Sequence, residues 1–296
     1  WGQVVDAHPM LRMRIDPDRF EQWVDATLDV PLEVTEYPDQ AAADQAGAQL
    51  GDRLVWHVYD PSEDRPLLDA AVVLGENTAV LHLSVDLLVT DYVGIRTILD
   101  DFDRALGGGA VRRPAATFRE YLQADRRHRA TCEYRALRRS AEEYWSRRIL
   151  EMPAPLRFPP APTQDAVPDR HISPSYSRRS QRLSSGEWER LCANAAELEA
   201  TPVALILAEL GAVAAAHSPN AAATVMMTRV DRRPIVADVE RIVGDFTSTL
   251  VVSLPSGNDR DAAVRAVRDD VFAGLEYAAF SGMEVACLLD DAAPTE

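Results

Sequence analysis

The sequence predicts an α/β fold of the layered α+β kind, in which helices are mixed with strands that are mostly not neighbours along the chain. Three observations carry that prediction. Residues 78–85 (TAVLHLSV) have the β-branched, alternating character of a strand, and residues 92–106 repeat apolar positions at helical spacing until Gly107-Gly108-Gly109 stops them. Two helix starts, at Ser184 and Thr201, precede a strand-like run at 223–228, and a second such run follows at 249–254. At 296 residues and 47% hydrophobic content the chain is long enough to bury a large core as one long domain or two lobes.

Taken in order, residues 1–14 open in what reads as mid-helix and carry no basic start followed by an apolar stretch, so a signal peptide is not expected. Residues 86–91 (DLLVTD) form a loop between strand and helix. Its carboxylates, Asp86 and Asp91, can approach the positive end of the following helix. Residues 117–150 are amphipathic and rich in Arg, with Phe118, Tyr121, Leu122, Tyr134, Leu137, Tyr144 and Trp145 as expected buried contacts and the arginines as a solvated face. Prolines then crowd residues 152–174, a spacing that forbids regular helix and suits an extended linker. A lobe boundary is expected there, with a first lobe at 1–160, a linker at 161–183 and a second lobe at 184–296. Final helices are expected over 261–275 and 281–289, the latter with Ser281 and Glu284 as a capping box.

Composition excludes several classes. The net charge of -16 argues against a nucleic-acid binder, because phosphate neutralisation needs a positive surface. All 31 basic residues are Arg, which removes Schiff-base lysines and the P-loop lysine. Cys132, Cys192 and Cys287 are odd in number and far apart, so neither a disulfide framework nor a zinc knuckle is indicated, and a reducing, cytoplasmic setting fits. The longest apolar run, 203–216, is interrupted by Glu209, falls short of the ~20 residues that cross a bilayer, and reads as a core helix.

Five stretches in order resemble the heterocyclization domains of non-ribosomal peptide synthetases, a branch of the condensation-domain superfamily. They are HPMLR at 8–12, HLSVDLLVTD at 82–91 with its DxxxxD motif, FREYL at 118–122, YWSRRILEMPAPLRFPP at 144–160 and VERIVGDFTS at 239–248. The resemblance runs nearly end to end. It implies two lobes of chloramphenicol-acetyltransferase-like fold in a V, with a tunnel where two carrier-protein arms meet. It also places a family block before Trp1 and a last strand after Glu296, so that the second lobe is expected to be incomplete in this chain.

For function the resemblance implies two linked reactions on substrates carried by phosphopantetheine arms, with no cofactor or metal in the domain itself. The amine of a carrier-bound Cys, Ser or Thr attacks an upstream acyl thioester; its side chain then attacks the new amide, and loss of water leaves a thiazoline or oxazoline. Donor and acceptor peptidyl carrier proteins and an adjacent adenylation domain are the implied partners, with no membrane and no nucleic acid. Ordinary condensation domains carry HHxxxDG, but here the histidine positions hold Asp86 and Leu87, and Asp91 alone is shared. The implied dehydrating pair is Thr247 with Glu276, the latter from aligning GLEYAAFSG at 274–282 on the family's DLDHRxxSG. Asp91 is expected to be architectural, with Arg232 as its partner, and Asp245 and Ser248 belong to the same site motif as Thr247. Asp86, placed among the catalytic candidates, faces either the tunnel or the loop backbone.

The chain departs from the pattern at two places. Gly94 stands where the family commonly has Ser, removing a hydroxyl cap near a helix start, and Glu276 is one methylene longer than the expected Asp, with Tyr277 in the place of the His. These departures keep two other readings open: a docking platform of the same fold without catalysis, and condensation without ring closure.

Overall fold

The computed structural model describes residues 1–156, 179–217, 222–255, 257 and 259–292. Two compact units divide the chain: residues 1–131 with 230–247, and residues 132–229 with 248–296.

The first unit opens with the short helix α1 (Gly2–Ala7), a 3₁₀ turn at Pro9–Arg12 and a hairpin of β1 (Met13–Asp16) and β2 (Glu21–Val24) with Met13 opposite Val24. After β3 (Glu33–Glu36), helix α2 (Gln40–Val55) is capped by Asp39, whose carboxylate accepts from Ala42 N at 2.7 Å. Strands β4 (Leu68–Leu74) and β5 (Ala79–Val85) complete a three-stranded sheet of order β3-β4-β5, in which β4 runs parallel to β3 and antiparallel to β5. Helices α3 (Tyr92–Leu106) and α4 (Phe118–Arg129) follow, α4 starting from a complete capping box of Thr117 and Glu120. One apolar core joins Val4, Leu11, Met13, Ile98 and Phe102 to Phe118 and Tyr121, and residues 239–246 return to it with Val239, Ile242, Val243 and Phe246.

The second unit contains α5 (Cys132–Arg148), α6 (Ser185–Glu197), α7 (Pro202–His217), α8 (Arg260–Glu276) and α9 (Gly282–Ala292), and nearly all of the paired strands β6 (Ala223–Val230) and β7 (Thr247–Leu254). One core packs α6, α7 and α8 on β7 through Ala195, Leu205, Leu250, Val252, Val264 and Val267; another joins Ala141 and Trp145 of α5 to Val251, Phe280 and Val285. Helix α7 turns its small residues inward, so that Gly211 meets Leu254 and Ala204 and Ala208 are buried, while Val203, Ile206, Leu210 and Val213 remain exposed.

The unit boundaries differ from the expected ones at 160 and 184. Packing allegiance changes instead at 131/132, 229/230 and 247/248, because Trp145 and Ala141 bury against β7 and the α8–α9 turn, and residues 239–246 bury in the first core. Most of the expected linker, residues 161–178, lies outside the described residues. The expected amphipathic run 117–150 is two helices separated at Ala130–Thr131, where the Thr131 hydroxyl donates to His128 O at 2.8 Å. Leu137, expected to be buried, is exposed. No single helix among the described residues is long and apolar enough to cross a membrane.

Candidate functional site

Strand β5 hands over to α3 through a tight loop. Asp86 N donates to Leu67 O at 2.9 Å, extending the ladder by one residue, and Asp86 Oδ1 accepts from Leu88 N at 2.8 Å. Of the two alternatives for Asp86, its carboxylate takes the loop backbone, as an Asx turn. Leu87 and Leu88 face outward, whereas Val89, Thr90 and Asp91 are buried.

A buried carboxylate needs several partners, and Asp91 has them. Its Oδ1 accepts from Gly94 N at 2.8 Å, capping α3, and from Arg232 Nη2 at 2.7 Å; its Oδ2 accepts from Phe246 N at 3.3 Å. Its own amide donates to Gly244 O at 3.1 Å. Arg232 is equally committed: Nη1 donates to Val239 O and Ile242 O at 2.9 and 2.6 Å, and its Cζ lies 4.1 Å from the centre of the Phe246 ring. The structure thus brings Asp91 and Arg232 together, 141 residues apart in sequence, as a pair almost fully out of water.

The VGDFTS block meets this pair through Gly244 and Phe246. Val243 and Phe246 are core, and Phe246 meets Phe118 and Tyr121 edge to face at 5.1 and 4.7 Å. Gly244 is required by contact, since a Cβ there would lie 2.3 Å from the Phe118 ring. Asp245 is exposed and its Oδ1 accepts from Thr247 N at 2.9 Å. Thr247 then opens β7, exposed, with no hydrogen bond to its hydroxyl among the described residues; Ser248 beside it is half-buried. The strand begins two residues earlier than its expected start at 249, and so includes both.

Glu276 belongs to the second unit, as the exposed last residue of α8. Tyr277, the next residue, donates its amide to Ala273 O at 3.0 Å and stacks on Tyr144 with ring centres 4.0 Å apart. Thr247 lies in the first unit, so each member of the expected pair is fixed within its own body.

The missing hydroxyl at Gly94 is compensated. The helix start is capped by Asp91 itself, and a Cβ on residue 94 would sit 1.9 Å from Thr90 Oγ1, which fills that space from a fully buried position. Gly94→Ser is therefore expected to cost about 1–3 kcal/mol by overpacking, and clearly less when combined with Thr90→Ala. A denaturant double-mutant cycle checks this, and equal costs in the two backgrounds would refute the steric coupling.

A second buried ionic cluster was not expected from sequence. His8 Nε2 and Asp101 Oδ2 are 3.0 Å apart, and Arg241 Nη2 donates to both Asp101 oxygens at 3.0 and 2.9 Å, with Arg104 at 3.8 Å. Asp101 sits on the same face of α3 as Gly94, Thr97, Ile98 and Phe102. That placement of an acid on the apolar stripe was the available signal. Burial lowers the His8 pKa, outweighing the Asp101 hydrogen bond and charge that raise it, and Arg241 lowers it further. The neutral ring donates from Nε2, because the carboxylate only accepts; Nδ1 is buried without a partner among the described residues. Below the ordinary value of 6.5 the unfolded chain takes up a proton that the folded one refuses. Stability is then complete above 6.5 and is lost as pH falls toward the depressed folded value. Urea midpoints at pH 7.5 and about 5.5 are expected to differ more for wild type than for His8→Gln, and an unchanged pH slope in the variant would overturn the assignment.

A cavity of about 730 Å³ in the first unit is lined by Met10, Trp23, Phe118 and Arg119, and none of Asp86, Asp91, Arg232 or Thr247 reaches it. Among the described residues no cluster of His, Cys, Asp or Glu has the arrangement of a metal site.

The chain belongs to the condensation-domain family, whose model matches residues 1–281, and condensation domains are an enzyme class of non-ribosomal peptide synthetases. Among curated relatives it is 26% identical over 294 residues to pyochelin synthetase PchF of Pseudomonas aeruginosa, covering 96% of this chain and 16% of that protein. It is 28% identical over 287 residues to phenyloxazoline synthase MbtB of Mycobacterium tuberculosis, covering 94% and 19%. Among solved structures, the cyclization-docking bidomain of the EpoB synthetase from Sorangium cellulosum superposes with a TM-score of 0.77 at 23% identity, over 97% of this chain and 59% of that one. The first condensation domain of the calcium-dependent antibiotic synthetase, with a substrate analogue, gives 0.71 at 17% identity, over 97% and 67%. The chain therefore spans under a quarter of the length of these curated relatives.

Proposed function

We propose that this chain joins a carrier-bound acyl donor to a carrier-bound Cys, Ser or Thr and then closes the new amide into a thiazoline or oxazoline. The observation that carries the reading is Thr247, exposed at the start of β7 with no hydrogen bond to its hydroxyl among the described residues, while Asp245 Oδ1 accepts from its amide. Its similarity to a phenyloxazoline synthase and to a cyclization domain supports it.

Amide formation places little demand on a base, because two tethered reactants held in register already gain most of what catalysis requires. Asp86 in the histidine position is consistent with that. Ring closure demands more: the side-chain thiol or hydroxyl adds to the amide carbonyl, the former carbonyl oxygen leaves as water, and the nitrogen gives up its proton as the C=N bond forms. A carboxyl group can protonate the departing oxygen and accept the nitrogen proton. Glu276 takes that role, and Thr247 orients the oxygen through a hydrogen bond. The reading draws in donor and acceptor carrier proteins and an adenylation domain that loads the acceptor. A second reading, condensation without closure, is favoured by the longer acid at 276 and by Tyr277 and Ala278 after it.

Intact mass of the product on the acceptor carrier protein, measured with the complete synthetase, tests this. The expected product is the amide minus one water. Intact amide alone would establish the second reading, and unreacted donor would leave only a docking role.

A further inference from the structure

We propose that Tyr144 and Arg138 of α5 are positioning residues for Glu276, holding the α8–α9 turn that presents it; this rests on the reading of Glu276 as the dehydrating acid. Glu276 is the last helical residue of α8 and makes no hydrogen bond among the described residues, so its direction is set by the backbone that follows. That backbone is gripped at every second or third residue. Tyr277 stacks on Tyr144 at 4.0 Å with an interplanar angle of 11°, and its carbonyl accepts from Trp145 Nε1 at 3.3 Å. Arg138 Nη1 donates to Ala279 O at 3.2 Å, its Nη2 donates to Glu284 at 2.5 Å, and its guanidinium lies 4.7 Å from the Phe280 ring centre. Glu284 in turn accepts from Ser281 N at 2.7 Å, and Met283 N donates to Thr249 Oγ1 at 3.0 Å. A Cβ on Gly282 would lie 3.0 Å from Leu250 N, so the turn is pressed against the β7 backbone as well.

The turn is therefore held between α5 on one side and β7 on the other. An exposed glutamate has three side-chain torsions to spare, and a backbone fixed in this way is what limits the volume its carboxylate searches. Tyr144 supplies a flat stacking surface and no hydrogen bond to the turn, so Phe should replace it and Leu should not. Arg138 bridges a carbonyl, a carboxylate and a ring at once, which the point charge of Lys does not reproduce.

The test uses the complete synthetase with loaded carrier proteins, comparing wild type, Tyr144→Leu, Tyr144→Phe, Arg138→Lys and Glu276→Gln. Amide formation and ring closure are read separately by intact mass, and amide hydrogen exchange is followed over 274–289. Tyr144→Leu and Arg138→Lys are expected to slow ring closure about tenfold or more, leave amide formation within about twofold, and speed exchange in that segment alone. Tyr144→Phe is expected to behave as wild type. If Glu276→Gln slows ring closure while Tyr144→Leu and Arg138→Lys do not, the positioning role is overturned and the acid stands. If Glu276→Gln has no effect, or wild type makes no ring, the acid and its positioning both fail. Should Tyr144→Leu unfold, Arg138→Lys and the exchange data decide.

Discussion

Asp91→Ala is expected to cost about 3–5 kcal/mol of folding stability, because it strands the Arg232 guanidinium in a dry site. Arg232 has two backbone carbonyls and the Phe246 ring besides the carboxylate, but none of these neutralises its charge. The helix cap adds to the loss, since the Gly94 amide also goes unpaired, a contribution of about 1 kcal/mol. Asp91→Asn separates the two effects: its amide oxygen still caps α3 while the ionic pair is gone. The expected order of stability is wild type, Asp91→Asn, Asp91→Ala, with Arg232→Met losing about as much as Asp91→Asn or more because the carboxylate is then left unpaired. Removing both partners is expected to hurt far less than the sum of the single changes, which a double-mutant cycle by urea unfolding reads directly. A single-site loss under about 1 kcal/mol would mean that Asp91 and Arg232 do not meet as described. Asp86→Ala gives the internal contrast. Its carboxylate is half-buried and holds one backbone amide, so a loss within about 1 kcal/mol is expected there.

These two aspartates show what in the fold could be read from local sequence and what could not. The end of β5, the loop and α3 fall where alternation, an N-cap and three glycines place them, because each signal acts within a few residues. The capping boxes at Ser184 and Ser281 are both present, with Ser184 N to Glu187 at 2.7 Å and Ser281 N to Glu284 at 2.7 Å. The hairpin β1–β2 and strand β3 left no such trace: β2 and β3 are four residues each and exposed throughout, so neither has a buried face to impose a period of two. Unit membership was illegible for a different reason. It depends on contacts such as Trp145 with Val251 and Phe102 with the returning 239–246 segment, more than a hundred residues apart. At the site, Asp91 and Arg232 were matched through the family resemblance, since nothing in either segment alone names the other. The His8–Asp101–Arg241 cluster escaped because charged residues on helices usually face water. Asp125, buried on α4 with Arg129 at 2.5 Å and Arg233 at 2.8 Å, repeats that pattern.

The largest catalytic effects are expected at Thr247 and Glu276, and they should fall on one step only. General acid–base assistance is worth about 10²–10⁴ in rate, so Glu276→Gln, which keeps the length and removes the titratable proton, is expected to slow ring closure by about a hundredfold or more. On the proposed reading Thr247→Ala removes a hydrogen bond that would orient the leaving oxygen, and a loss of about ten- to a hundredfold is expected, roughly 1.4–2.7 kcal/mol of barrier. Thr247→Ser should restore most of it, since the hydroxyl and the Asp245 turn are both retained. Amide formation should stay within about twofold in all three, because it depends on bringing two tethered reactants together and not on these groups. The split between steps is what distinguishes chemistry from damage, for a variant that merely loosened β7 or α8 would slow both. Asp86→Asn completes the set: its side-chain oxygen can still accept from Leu88 N, so the loop persists and any change in ring closure reports on the carboxylate itself. Equal slowing of amide formation and ring closure in Glu276→Gln would remove that acid from the dehydration step, and ring closure at the wild-type rate in both Glu276→Gln and Thr247→Ala would remove both residues and leave the Asp86→Asn result to decide for that carboxylate.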